Sequence, residues 1–162
     1  MTTPATLSVN VIGTPVPQPR PRVAARGKHA HAYVPAKHPI HHWRLCVRTT
    51  MDQTLEEREM EGAYHGLPLL VSLHFTIARP KSHYRASIIG NPLKPSAPDY
   101  PTGARTGDCD NLAKGVLDAL EGSLFTNDSW VVDLRASKGY VDPRYSVEPG
   151  CTIIVTPKVP AP

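Results

Sequence analysis

A chain of 162 residues has room for one domain with a core of its own and too little for two. Hydrophobic residues make up 40% and charged residues 20% of it, with a net charge of +4, a balance that fits a soluble globular protein, and no apolar run approaches the roughly 20 residues a membrane helix needs. The three cysteines, Cys46, Cys109 and Cys151, are odd in number and without CxxC spacing, which argues against a disulfide framework or a zinc knuckle; with no signal-like N-terminus, a reduced cytoplasmic protein is expected.

In chain order, LSVNVIG (7–13) alternates Leu7, Val9 and Val11 with Ser8, Asn10 and Ile12, the period of a half-buried strand. Then follows TPVPQPRPRVAARGKHAHAYVP, where Pro15, Pro17, Pro19 and Pro21 forbid a helix and predict an extended basic arm over about 14–37. This arm lies in a cationic block. Residues 1–51 carry seven Lys or Arg (Arg20, Arg22, Arg26, Lys28, Lys37, Arg44 and Arg48), five His and no acidic residue. All fourteen acidic residues come later, mixed with eleven basic ones. Such a block favours a polyanionic partner, because phosphates neutralised by Lys and Arg release counterions.

Pro39 suits the first turn of a helix that Ile40, Trp43, Val47 and Met51 continue at helical spacing, to about Glu61. His38, His41 and His42 share one face, with His29 and His31 nearby, and are read as a solvated cluster rather than a zinc site; Trp43 and Trp130 are read as core or interface residues. LPLLVSLHFTIARP (67–80) is a strand with Leu69, Val71, Leu73, Phe75 and Ile77 on one face and Ser72, His74 and Thr76 on the other. Residues 79–106 hold five prolines and no sustained period, which predicts a long, cationic and mobile loop.

A second helix is expected over 110–121, with Gly122 just past its end, and two final strands over 129–141 and 150–157, paired as a hairpin around Pro143 and Pro149. The whole reads as a single α+β domain, a mixed sheet with two main helices packed on it.

The second helix raises the chemical question. Its apolar residues, Leu112, Ala113, Val116, Leu117, Ala119 and Leu120, fall on one side, which leaves Asp110, Asn111, Lys114 and Asp118 on the other. Asp108 enters from the preceding turn, and a short loop returns Asp128 toward the same place. Convergent carboxylates repel one another, and a hard divalent ion resolves the conflict while recruiting a phosphoryl oxygen and a water. Lys114, one turn beyond Asp110, is placed to stabilise added negative charge on a phosphate. A plainer reading exists for each part, since Asp before an apolar run is an ordinary cap and Asp110 with Lys114 an ordinary i, i+4 pair. The combination with Asp128 and a cationic arm favours the metal reading.

GDCDNLAKGVLDAL followed by FTNDSWV resembles the RusA-type Holliday junction resolvases, whose pattern is Asp-x-Asp-Asn-x-x-Lys, a downstream Asp-Ala-Leu, and an Asp in a loop before a strand. PQPRPR after the first strand and Lys138 after the loop match as well, and the resemblance spans about Val9 to Val155. It implies a Mg²⁺-dependent endonuclease, with Mn²⁺ expected to substitute and no small-molecule cofactor. The enzyme would act as a homodimer on four-way DNA junctions in a bacterium or a phage-infected host cell. Position by position, Asp108, Asp110 and Asp128 take the metal-binding carboxylate places, and together with Lys114 they form the catalytic set. Asp118 and Asn111 are assigned supporting places behind that set. Arg20, Arg22, Arg26, Lys28 and Lys138 are expected to contact DNA. The sequence departs from the family pattern at Asn127, where a second acid is common, and at Gly107, where a basic residue or proline is common. Two other function classes stand beside this one: a metal nuclease for flaps, forks or other branched DNA, and a non-catalytic DNA-binding remnant of a resolvase. A DxD-type nucleotide-sugar transferase is disfavoured by the short length and the lack of a nucleotide-binding half.

Overall fold

The alternating N-terminal segment forms β1 (Leu7–Ile12), with Leu7, Val9 and Val11 buried and Ser8, Asn10 and Ile12 exposed. The computed structural model describes residues 4–26, 29–85, 92–141 and 147–158.

The arm departs from the expected single extended segment. After Pro21, the last of the four closely spaced prolines, β2 (Arg22–Arg26) and β3 (His29–Tyr33) pair antiparallel, with Arg22 opposite Tyr33 and Arg26 opposite His29. Every residue from Arg22 to Arg26 and from His29 to Tyr33 has a backbone N–H, so ladder bonding becomes available where the prolines stop. Lys28 lies outside the described residues, and of Arg26 only the backbone is described.

Helix α1 (Ile40–Glu57) buries Ile40, Trp43, Val47, Met51 and Leu55. It stops short of the expected Glu61, because the apolar stripe is exhausted at Leu55 and the chain reverses there. The Glu59 N–H donates to the Glu56 carbonyl at 3.0 Å and the Met60 N–H to the Leu55 carbonyl at 2.8 Å, with Glu59 at φ 54°. This is the Schellman pattern of helix ends, closed by Met60 packing on the core.

β4 (Leu69–Ala78), α2 (Cys109–Leu120), β5 (Val131–Val141) and β6 (Gly150–Pro157) complete the domain. The four-stranded sheet runs β1-β6-β4-β5, with β1·β6 and β6·β4 antiparallel and β4·β5 parallel. The two final strands are therefore not a hairpin: β4 lies between them. Because α2 forms the crossover from β4 to β5, β5 pairs parallel with β4 at the outer edge. β6, whose Cys151, Ile153 and Val155 are buried, takes the inner slot between β1 and β4.

Both helices lie on one face of the sheet. Leu7, Val9 and Val11 of β1, Leu69, Val71, Leu73 and Phe75 of β4, and Ile153 and Val155 of β6 meet the buried stripes of α1 and α2 in one cluster. The result is the mixed-sheet α+β arrangement expected. In the described parts of the 79–106 segment, two short helical turns (Lys81–His83 and Ala104–Thr106) and a bridge between Tyr84 and Leu93 give local order, and the Arg79 guanidinium lies 4.3 Å over the Tyr140 ring. Among the described residues no helix is long and apolar enough to cross a membrane.

Candidate nuclease site at the start of helix α2

Burial of one side of α2 fixes its rotation, so Asp110 and Lys114 face solvent and Asp118 stands half-buried toward α1. Asp108 is the N-cap residue, extended at ψ 148°, yet its carboxylate takes no capping hydrogen bond. Asp110 sits in the first turn, where unsatisfied backbone N–H groups favour negative charge. Both carboxylates are exposed.

The turn before Asp108 is built tightly. Gly107 has φ 75° and ψ 158°, a combination essentially confined to glycine, and a Cβ there would stand 2.8 Å from Cβ of Pro17. That explains why glycine stands at this position in place of a basic residue or proline. Lys138, reaching from β5, donates from Nζ to the Gly107 carbonyl at 2.5 Å and to Thr106 Oγ1 at 3.2 Å. Expected to meet DNA, Lys138 is half-buried and its ammonium braces the backbone that presents Asp108.

The root of the basic arm crosses the same helix end. The Gln18 N–H donates to the Asn111 carbonyl at 2.8 Å, so Asn111 contributes through its backbone. A Cβ at Gly115 would lie 3.1 Å from Ile40 Cδ1 and 3.3 Å from the Val16 carbonyl, so the mid-helix glycine allows this close approach. Arg20 and Arg22, just beyond the strap, are exposed.

Lys114 is the hub of the polar face. Its Nζ contacts Asp118 Oδ1 at 2.8 Å and Asp128 Oδ2 at 3.2 Å. The hydrogen bond to Asp118 first, and that to Asp128 second, raise the Lys114 pKa above the usual lysine value against a smaller opposing effect of desolvation. Asp128 begins a short helical turn (Asp128–Trp130), with the Asn127 side chain accepting the Ser129 N–H at 2.9 Å. The buried Leu124 and Phe125 anchor the loop that brings Asp128 back to α2. Behind Lys114, Arg44 of α1 pairs with Asp118 Oδ2 and donates to Gln18 Oε1 at 2.5 Å.

Arg44 and Gln18 escaped the sequence reading. A half-buried arginine in a helix needs an acceptor, but the sequence does not say which. Gly115 was not singled out either, although a glycine inside an apolar helix is a signal of close backbone approach.

Among the described residues no three carboxylate, histidine or cysteine side chains are gathered into a ready cation cage. The donors at this end of α2 are carboxylate oxygens, which suit magnesium or manganese rather than zinc. The histidines of α1 make separate contacts: His38 Nδ1 accepts the Ile40 N–H at 3.2 Å, His41 Nε2 lies 3.1 Å from the Pro35 carbonyl, and His42 Nε2 lies 3.6 Å from Cys46 Sγ. Trp43 is core, 1% exposed, whereas Trp130 is 37% exposed.

A search of curated proteins finds no match to this chain. A family model described as Endodeoxyribonuclease RusA matches residues 13–156, which span both helices, the four-stranded sheet beyond β1 and every residue of the polar face just described. The chain therefore belongs to the RusA endodeoxyribonuclease family.

Proposed function

We propose that the protein is a magnesium-dependent endonuclease that resolves four-way DNA junctions by paired, symmetric phosphodiester hydrolysis. The observation that carries this reading is the Lys114 ammonium held between Asp118 and Asp128, on the helix whose N-cap residue Asp108 makes no capping bond and whose first turn holds Asp110.

Asp108, Asp110 and Asp128 are the residues that would hold the cation, with manganese substituting for magnesium. When bound, a hard cation polarises a phosphoryl oxygen and lowers the pKa of a water. The chain's own residues supply the rest. Lys114 offers a fixed positive charge to the phosphate as its negative charge grows during in-line attack by water. The new P–O bond forms to the water oxygen while the bond to the 3′-oxygen breaks. Lys138 holds the Gly107 carbonyl, and with it the turn that presents Asp108. Arg20, Arg22, Arg26 and Lys28 contact backbone phosphates, which fix position without reading sequence, and the strap at Gln18 joins this arm to the start of α2.

A four-way junction is resolved productively by two symmetric cuts, so a two-fold homodimer presenting two such sites matches the substrate's symmetry. The protein acts on DNA in the cytoplasm of a bacterium or phage-infected cell. The decisive experiment incubates the purified protein and Mg²⁺ with labelled four-way junctions, forks, flaps and linear duplexes on one gel. The expected result is paired, symmetry-related nicks in the four-way junction that a chelator abolishes. Preferred cutting of forks or flaps would replace the junction with another branched substrate, and no cleavage of any would defeat the enzyme reading.

A further inference from the structure

We infer that Arg44 is a positioning residue for the Lys114 ammonium, acting through Asp118. This rests on the nuclease reading above and names a part of that site on a different helix.

Lysine is a point charge on a flexible stem, so its usefulness at a reacting phosphate depends on what holds the ammonium in place. Lys114 is 52% exposed, so packing holds its stem on one side only and the ammonium depends on its polar partners. Its Nζ is held by two carboxylates, and these differ in character. Asp128, 40% exposed, sits on a loop, whereas Asp118, 23% exposed, sits one turn further along the same rigid helix. An isolated i, i+4 pair on a helix surface contributes little and fixes little, because the carboxylate is free to rotate. Here it is not free. Oδ2 of Asp118 is taken by Nη2 of Arg44, which leaves Oδ1 aimed at Lys114 at 2.8 Å. The two oxygens of one carboxylate thus serve two cations, and the guanidinium sets the plane in which the second is held.

Charge points the same way. Arg44, Lys114, Asp118 and Asp128 sum to zero. Without Arg44 the cluster carries a net negative charge beside the place a phosphate must occupy, and Asp118 is able to draw the ammonium to itself with both oxygens. Arg44 is 26% exposed, so its pairing is only partly screened by solvent. The same Nη2 donates to Gln18 Oε1 at 2.5 Å, and the Gln18 N–H donates to Asn111 of α2 at 2.8 Å. The guanidinium is therefore fixed by the root of the basic arm as well as by the acid it orients.

The test compares single-turnover cleavage of a four-way junction, at saturating protein with Mg²⁺, with junction affinity measured under Ca²⁺. The proteins are wild type, Arg44→Ala, Arg44→Lys, Lys114→Ala and the double variant Arg44→Ala/Lys114→Ala. Arg44→Ala should slow cleavage by on the order of tenfold while the junction Kd moves by less than about threefold. Arg44→Lys, which keeps the cation but not the planar fork, should recover part of the rate. In the Lys114→Ala background the Arg44 change should cost no further rate, because the group it positions is gone. A residue that merely ties α1 to α2 would slow both backgrounds equally, and that additivity would overturn the inference, as would a wild-type rate for Arg44→Ala. Should Arg44→Ala fail to fold, Arg44→Lys in the two backgrounds makes the same comparison. A wild-type protein that cleaves no branched DNA would overturn the nuclease reading itself, whereas wild-type cleavage with an unaltered Arg44→Ala overturns only the role of Arg44.

Discussion

The proposed function gives Asp108 a second duty beside its place at the helix start, and a single substitution separates the two. As N-cap residue it has the backbone geometry of a cap without the side-chain bond, so its carboxylate is available for a cation. Asparagine caps helices about as well as aspartate, and it removes a charge from beside Asp110. Asp108→Asn is therefore expected to leave the melting temperature in metal-free buffer unchanged or raised, while cleavage falls by on the order of 10²-fold or more. A clear loss of metal-free stability would mean that the carboxylate serves the helix rather than a metal. Within the core, burial pushes the Cys151 thiol from its ordinary 9.0 up to about 12, with a smaller opposing effect from a backbone hydrogen bond of His74. Because the folded pKa is raised, the stability linked to the neutral thiol is intact below pH 9.0 and is lost as pH climbs toward about 12. At pH 8 iodoacetamide should accordingly label no more than Cys46 and Cys109 in the native protein, and Cys151 only after denaturation. Labelling of a third thiol in the folded protein would contradict that burial.

The elements show how far local pattern carries and where packing takes over. Helix α1 starts at Ile40, just after Pro39, as the sequence suggests, and its apolar stripe was readable. Its end depended on Glu59 adopting a left-handed conformation that is uncommon outside glycine, asparagine and aspartate. The basic arm divides into two parts with different work: Pro15 is buried and the segment to Gln18 straps α2, while the residues from Arg22 onward form a hairpin. Arg20 stands exposed between strap and hairpin and Arg22 exposed at the first position of β2, which suits both to backbone phosphates rather than to internal ion pairs. Replacing both by Ala should weaken junction binding and reduce the slope of log K against log salt by about 0.9 for each phosphate no longer neutralised. An unchanged slope in a filter-binding titration would remove the arm from the DNA interface.

For the whole molecule, the acidic end of α2 is a charged feature mounted on an apolar support. α2 buries seven of its residues from Leu112 to Leu120, and the sheet below it is fully buried at Leu69, Val71 and Leu73. A cation that binds only the folded chain adds stability as RT ln(1 + [L]/Kd), about 2.7 kcal/mol at a hundredfold excess over Kd. For a chain of this size that corresponds to roughly 2–4 °C of melting temperature per kcal/mol. Saturating Mg²⁺ should therefore raise the wild-type melting temperature by several degrees and leave Asp108→Asn nearly unmoved. Equal shifts in both proteins, followed by differential scanning fluorimetry, would place the ion elsewhere. The proposed homodimer is checked by light scattering, where a mass near twice 17.7 kDa is expected.

Periodicity and punctuation, both local properties, determined where β1, α1, β4, α2, β5 and β6 run to within a few residues, and the spacing of Asp108, Asp110 and Lys114 around one helix placed them at a single end. The family pattern was legible for the same reason, since it lies in one contiguous stretch and the loop after it. The tertiary structure decided what depends on neighbours distant in sequence. β4 separates β5 from β6, because a helical crossover sends β5 to the edge. Lys138 braces Gly107 across 31 positions, Arg44 reaches Asp118 across 74, and Gln18 reaches Arg44 across 26. A side chain's partner is chosen by which elements the core brings together, and no local period records that choice.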